Sequence, residues 1–116
     1  MIVGHEQQVE AKAIASPEVM NAAMKVLIGP SEGWKDHVMR VIELGPDGYT
    51  PSHAHDWPHI NFMIEGEGTL VMDGKSHSVA AGAFAYVSSG VAHQFRNAGS
   101  TPFRFICIVP VKGHIV

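Results

Sequence analysis

The chain has 116 residues, a net charge of −3 and a hydrophobic fraction of 46%. That length fits one domain burying roughly two thirds of its unfolded surface, and the hydrophobic content excludes a disordered chain. No Lys/Arg stripe marks a nucleic-acid surface, and no apolar run reaches membrane-spanning length, so neither nucleic acid nor a membrane is expected as a partner.

The first residues, MIVGHEQQVEAKAIA, lack a basic segment followed by an apolar core, so no secretory signal is expected. Cys107 is the only cysteine and has no disulfide partner within the chain. A reducing cytoplasm is the expected compartment. Residues 1–20 read as an N-terminal arm, and residues 21–116 as the domain proper. Within the arm, Ser16-Pro17-Glu18 has the composition of a short helix start.

From there the pattern becomes short apolar segments broken by turns. MKVLIG (24–29) and HVMRVIEL (37–44) read as strands, the second ending at GPDG. INFMIEG (60–66) follows, then a hairpin over 68–79 with Asp73-Gly74 at its turn. GAFAYV (82–87), VAHQFRN (91–97) and PFRFICIVP (102–110) complete the set. Short strands at regular spacing predict an all-β sandwich or barrel.

Two strands are apolar on both faces. His59, Asn61 and Met63 alternate with Ile60, Phe62 and Ile64. Phe103, Phe105, Cys107 and Val109 alternate with Arg104, Ile106 and Ile108. One face lines the barrel; the other needs cover, which predicts a homodimer.

The segment HAHDWPHINF (53–62) places three histidines within seven positions. His53 and His55, two apart, point to the same side of an extended chain. Trp57-Pro58 interrupts pairing and lets the chain turn to bring His59 back. His93 opens a later strand that a barrel makes a spatial neighbour. Four neutral imidazoles converging in a barrel form a metal site. Imidazole ligation alone admits Mn, Fe, Co, Ni, Cu or Zn.

Residues 48–66, GYTPSHAHDWPHINFMIEG, resemble the first cupin motif, and residues 82–97, GAFAYVSSGVAHQFRN, resemble the second, with Gly82, Gly90, His93 and Asn97 on its landmarks. The resemblance implies a single-domain cupin, a double-stranded β-helix or jelly-roll barrel. Three departures stand out: His59 where glutamate is usual, Ser88 where proline is usual, and one residue fewer between Gly48 and His53. The histidine substitution resembles a subgroup of small bacterial single-domain cupins with four histidines around manganese. VLIG, HVMRV and FICIVP extend the likeness beyond the motifs. It implies Mn(II) as cofactor, with Fe(II) next, and a last-strand cysteine, here Cys107, close to the metal pocket.

Four neutral ligands leave the full dipositive charge on the complex, which favours anionic or chelating oxygen ligands. The resemblance implies an oxidoreductase of dioxygenase type acting on a small organic molecule, with alkene cleavage among the subgroup's reactions. In that reading Phe95, Phe105, Met63 and Trp57 shape the pocket. Asn61 orients a bound oxygen, and Cys107 is a redox partner, a target of self-oxidation or simply a buried small apolar residue. Two alternatives stand beside it: a non-redox isomerase or epimerase, for which Tyr86 and Glu43 are the candidate bases, and a small-ligand-binding cupin without catalysis. Asn97 is read as closing a strand end. His5, His37, His77 and His114 are read as solvated surface residues. Because the ligands must be deprotonated, metal loss is expected below about pH 6.

Overall fold

Alternation with a period of two runs through the computed structural model, which describes residues 1–114. Nine strands are present among the described residues: β1 Lys12–Ala13, β2 Met20–Ile28, β3 His37–Tyr49, β4 His59–Glu65, β5 Glu67–Met72, β6 Lys75–Ala80, β7 Phe84–Val87, β8 His93–Asn97 and β9 Phe103–Pro110. They form one sheet in the order β6-β5-β8-β3-β9-β4-β7, with β2 pairing β3 and β1 pairing β2. The expected all-β single-domain barrel is the observed architecture.

β3 makes the sheet curl. It pairs with β9 from His37 to Leu44 and meets β8 at Tyr49. The expected stop at GPDG is instead a bend within a longer strand. Asp47 takes a left-handed backbone conformation there (φ 61°), and the Asn21 amide donates to the Pro46 carbonyl at 3.1 Å. The β5–β6 hairpin turns at Asp73 and Gly74, with φ of 52° and 75°, the left-handed pair that a two-residue turn matching strand twist requires. Residues 16–19 form a turn, not a helix. The Ser16 Oγ accepts from the Glu18 N–H, and the Ser16 carbonyl accepts from the Val19 N–H, both at 3.2 Å. The chain enters β2 at Met20, which leaves no length for a helical turn.

The two-faced strands sort as expected. His59, Asn61 and Met63 are buried in β4, as are Phe103, Phe105, Cys107 and Val109 in β9. The opposite face of β4 and β7 carries Ile60, Phe62, Phe84 and Tyr86 in the open, with Phe84 81% exposed. Ile60 pairs with Tyr86 and Phe62 with Phe84, so the four side chains form one apolar patch. Elsewhere the outer face is ionic: Arg104 meets Glu6, Glu43 and Glu65, and Lys25 meets Glu6 and Glu43.

The barrel interior has two ends. At one, Leu44, Met63, Leu70, Phe95, Phe103 and Phe105 pack together. Asn97 seals it, its amide donating to the carbonyls of Leu44, Gly45 and Thr101 at 2.9–3.0 Å and its oxygen accepting from the Gly99 N–H. The strand-closing role expected of Asn97 is what the structure shows. The histidines collect at the other end.

Candidate metal centre

His53 and His93 exchange both backbone hydrogen bonds, at 3.2 and 2.9 Å, and this pairing brings their side chains together. His55 follows two residues on. Its ring stacks on Trp57 with centroids 4.4 Å apart, and its Nδ1 donates to the Trp57 carbonyl at 2.8 Å. Trp57 is itself backed by Gly113, where any side chain would collide with the indole. The ligand-capable nitrogens of His53, His55 and His93 lie within 4.8 Å of one another. His59 comes from β4, on the opposite part of the sheet from β8, and its Nε2 faces the His93 Nε2 at 3.1 Å.

The tautomers follow from the partners. The His59 Nδ1 lies 2.6 Å from the Asn61 Oδ1, whose amide nitrogen is turned to the Ile106 carbonyl; the imidazole must therefore donate. The His93 Nδ1 donates to the Val91 carbonyl at 2.9 Å. Three rings thus carry their proton on Nδ1 and direct an Nε2 lone pair inward. Two of those lone pairs oppose each other at 3.1 Å with no proton between them. A cation bound there removes this repulsion, so the donor set fits a metal ion.

Burial pushes the His53, His59 and His93 pKa values down. For His59 the value falls to about 4: the Asn61 hydrogen bond opposes the shift, while His93, His55 and Arg40 add to it by charge repulsion. In His93 the Val91 carbonyl opposes burial, and His55 and His53 reinforce it. In His53, burial and the neighbouring His55 act against Glu18. These rings are therefore neutral at pH 7, the form a metal requires.

The cluster opens into a cavity of about 260 Å³. Trp57, Phe95, Phe105, Asn61 and Cys107 are among the residues that line it. Met63 does not; it is fully buried in the apolar core, one step beyond Asn61 along β4. Tyr86 and Glu43 lie on the outer face and do not reach the cavity. His114 is not a solvated surface residue: the 3-10 turn Val111–Gly113 folds it back, half-buried, with its Nδ1 3.2 Å from the Arg40 guanidinium. His37 is also half-buried, stacked on Trp34. His5 and His77 are exposed.

Two charged lining residues, Arg40 and Glu18, escaped the sequence reading. Arg40 shares the inward parity of Val38, Ile42 and Leu44, a signal the pattern contained. Glu18 reaches the rim from the turn before β2, and no periodicity points to it. Ile14, Ser16 and Val19 from the same stretch also line the opening, so residues read as an arm border the site.

Residues 40–109, more than half of the chain, match the family described as Cupin domain, and the chain belongs to that family. Among curated proteins it is 30% identical over 59 residues to the dimethylsulfoniopropionate lyase DddW of Ruegeria pomeroyi, covering 51% of this chain and 39% of that one. It is 28% identical over 69 residues to an oxalate-binding protein of Thermotoga maritima, covering 59% and 57% respectively. The chain thus spans about half the length of these curated relatives. Among solved structures, the polyketide cyclase RemF of Streptomyces resistomycificus superimposes with a TM-score of 0.88 at 28% identity, covering 95% of this chain and 79% of that one. Among the described residues no helix is long and apolar enough to cross a membrane.

Proposed function

We propose that His53, His55, His59 and His93 hold one divalent transition-metal ion, Mn(II) first and Fe(II) next, and that the protein is an oxidoreductase of dioxygenase type acting on a small organic molecule. Dioxygen is the oxidant, and both of its atoms enter the product. The observation that carries the metal assignment is the pair of Nε2 lone pairs opposed at 3.1 Å between rings whose Nδ1 protons are already committed. When bound, the ion supplies Lewis acidity and open coordination positions. The chain supplies the rest. Asn61 fixes the tautomer and tilt of His59 from behind, and Trp57 does the same for His55. Phe95 and Phe105, stacked 4.2 Å apart, form an apolar floor that keeps water from the reacting carbon. Metal analysis of the purified protein, followed by oxygen uptake with phenols, alkenes and diketones, tests this reading. Uptake that depends on Mn or Fe supports it; none in fully loaded protein contradicts it.

A second reading, a non-redox lyase or isomerase, is favoured by Glu18, the one carboxylate lining the cavity among the described residues. Here Glu18 is the proton acceptor, and turnover without oxygen uptake distinguishes the two. The lyase among the relatives agrees with it. We also propose that the Ile60–Phe62–Phe84–Tyr86 patch pairs with a second copy of the chain. Light scattering of wild type and Phe84→Glu checks this: a dimer that the charge disperses is expected, and a monomeric wild type contradicts it.

A further inference from the structure

The interior of the barrel holds a guanidinium, that of Arg40, which no carboxylate among the described residues neutralises. Arg40 sits on β3, and its Nη1 meets the His114 Nδ1 at 3.2 Å and the Met24 sulfur at 4.0 Å. Its Nη2 meets the Cys107 thiol at 3.7 Å, and its Nε, fully shielded, has no partner among the described residues. Every ion pair among the described residues involves Lys25, Arg104 or Lys112. The contrast with Arg104 is direct. Both arginines come from adjacent strands, yet the outward one has three carboxylates and the inward one has a thiol, a thioether and an imidazole. Sulfur is a weak acceptor, so most of the five N–H groups of Arg40 lack a strong partner among the described residues. An interior charge without a counter-charge is costly unless a ligand supplies one.

Register places this charge relative to the histidines. Arg40 pairs with Cys107, and Cys107 pairs with Asn61. The three lie in a row across the inner wall, so Arg40 and Asn61 are about 10 Å apart at Cα, two strand spacings. Asn61 in turn holds His59. The same cavity is lined by Arg40, by the four histidines and by the apolar rings of Phe95 and Phe105. Its 260 Å³ admits a molecule of metabolite size.

We propose that Arg40 is the anion receptor of this cavity, and that the protein's substrates are small organic carboxylates whose carboxylate pairs with its guanidinium. A planar carboxylate matches the two-pronged donor face of arginine. Arg40 is the only lysine or arginine among the lining residues, which suits a monoanion over a phosphate dianion. Glu18, at the rim beside His53, keeps further anions from crowding the entrance. This deepens the proposed function and relies on it only for the other end of the ligand.

Calorimetric titration with acetate, pyruvate and benzoate tests the receptor, on metal-free and Mn-loaded protein, for wild type, Arg40→Gln and Arg40→Lys. Wild type is expected to bind at least one of the three. Arg40→Gln should weaken that binding about tenfold or more, and Arg40→Lys by less. Manganese stoichiometry should be equal in all three proteins, and the melting temperature of ligand-free Arg40→Gln should equal or exceed that of wild type. Benzyl alcohol, the neutral counterpart of benzoate, should bind more weakly than benzoate. Equal carboxylate affinity in wild type and Arg40→Gln overturns the proposal, as does tighter binding of inorganic phosphate, or no binding of any of the three carboxylates at millimolar concentration. If the protein takes up no metal but carboxylate binding still follows Arg40, the receptor stands and the metal-based function falls. If manganese binds and Arg40→Gln changes nothing, the reverse holds.

Discussion

The two ends of the barrel are built from the same strands but solve opposite problems. At the closed end, Phe103, Leu44 and Met63 are fully buried, and Asn97 spends every donor and acceptor of its amide on nearby backbone. At the open end, β4 and β8 begin with histidines whose lone pairs face one another, and β3 presents a guanidinium with a shielded Nε left over. The closed end is satisfied by nearby backbone; the open end is left unsatisfied by the described residues. Stability and binding are therefore assigned to different ends of the same strands, four residues apart in both β4 and β8.

The sharpest way to break that division is at the closed end. Phe103→Ala removes a fully buried ring and should cost about 3–5 kcal/mol in denaturant unfolding, while leaving metal stoichiometry intact. Lost metal binding in a folded Phe103→Ala protein would show that the ends are not separable. The pH dependence of the metal-free protein comes next. His59 titrates at about 4 when folded and at about 6.5 when unfolded, so the unfolded chain binds more protons in between. Stability is thus fully present above pH 6.5 and falls as pH drops towards 4, by about 3 kcal/mol from this group. Urea unfolding at neutral pH and near pH 4 measures it; a flat profile contradicts the buried neutral ring. The same shift moves acid-driven metal release below the pH of about 6 expected for free imidazole.

Asn61→Ala should weaken metal binding about 10–100-fold by freeing the His59 tautomer, and Asn61→Asp, which still accepts the Nδ1 proton, should restore most of it. Equal loss in both variants would reduce Asn61 to a packing residue. The smallest effect is expected at Gly113→Ala. The added methyl displaces Trp57 and, through the stacking, tilts His55, for a few-fold loss of metal affinity and a shift in tryptophan fluorescence. Unchanged fluorescence would detach Gly113 from the site.

The strand alternation in residues 59–65 and 103–109 was legible because burial follows a period of two, and the Asp73-Gly74 turn because its backbone angles demand those residues. The histidine cluster was legible from spacing within 53–59 and from motif likeness at 93. Other features depend on three-dimensional closure. Glu18 reaches the cavity, and His114 reaches Arg40, through turns at chain segments with no periodicity, which local pattern does not encode. β3 runs past GPDG because a bend, not a stop, joins its two pairings with β9 and β8. Arg40 differs from both: its parity announced an inward charge, and a charged residue among Val38, Ile42 and Leu44 reads as a surface position until its neighbours are known.

Manganese titration of metal-free wild type and of His53→Ala, His59→Ala, His93→Ala and His77→Ala, followed by electron paramagnetic resonance, addresses the central claim most directly. One ion per chain is predicted for wild type and His77→Ala, with stoichiometric binding lost in the other three. Equal occupancy across all five proteins would mean that the four imidazoles do not share an ion.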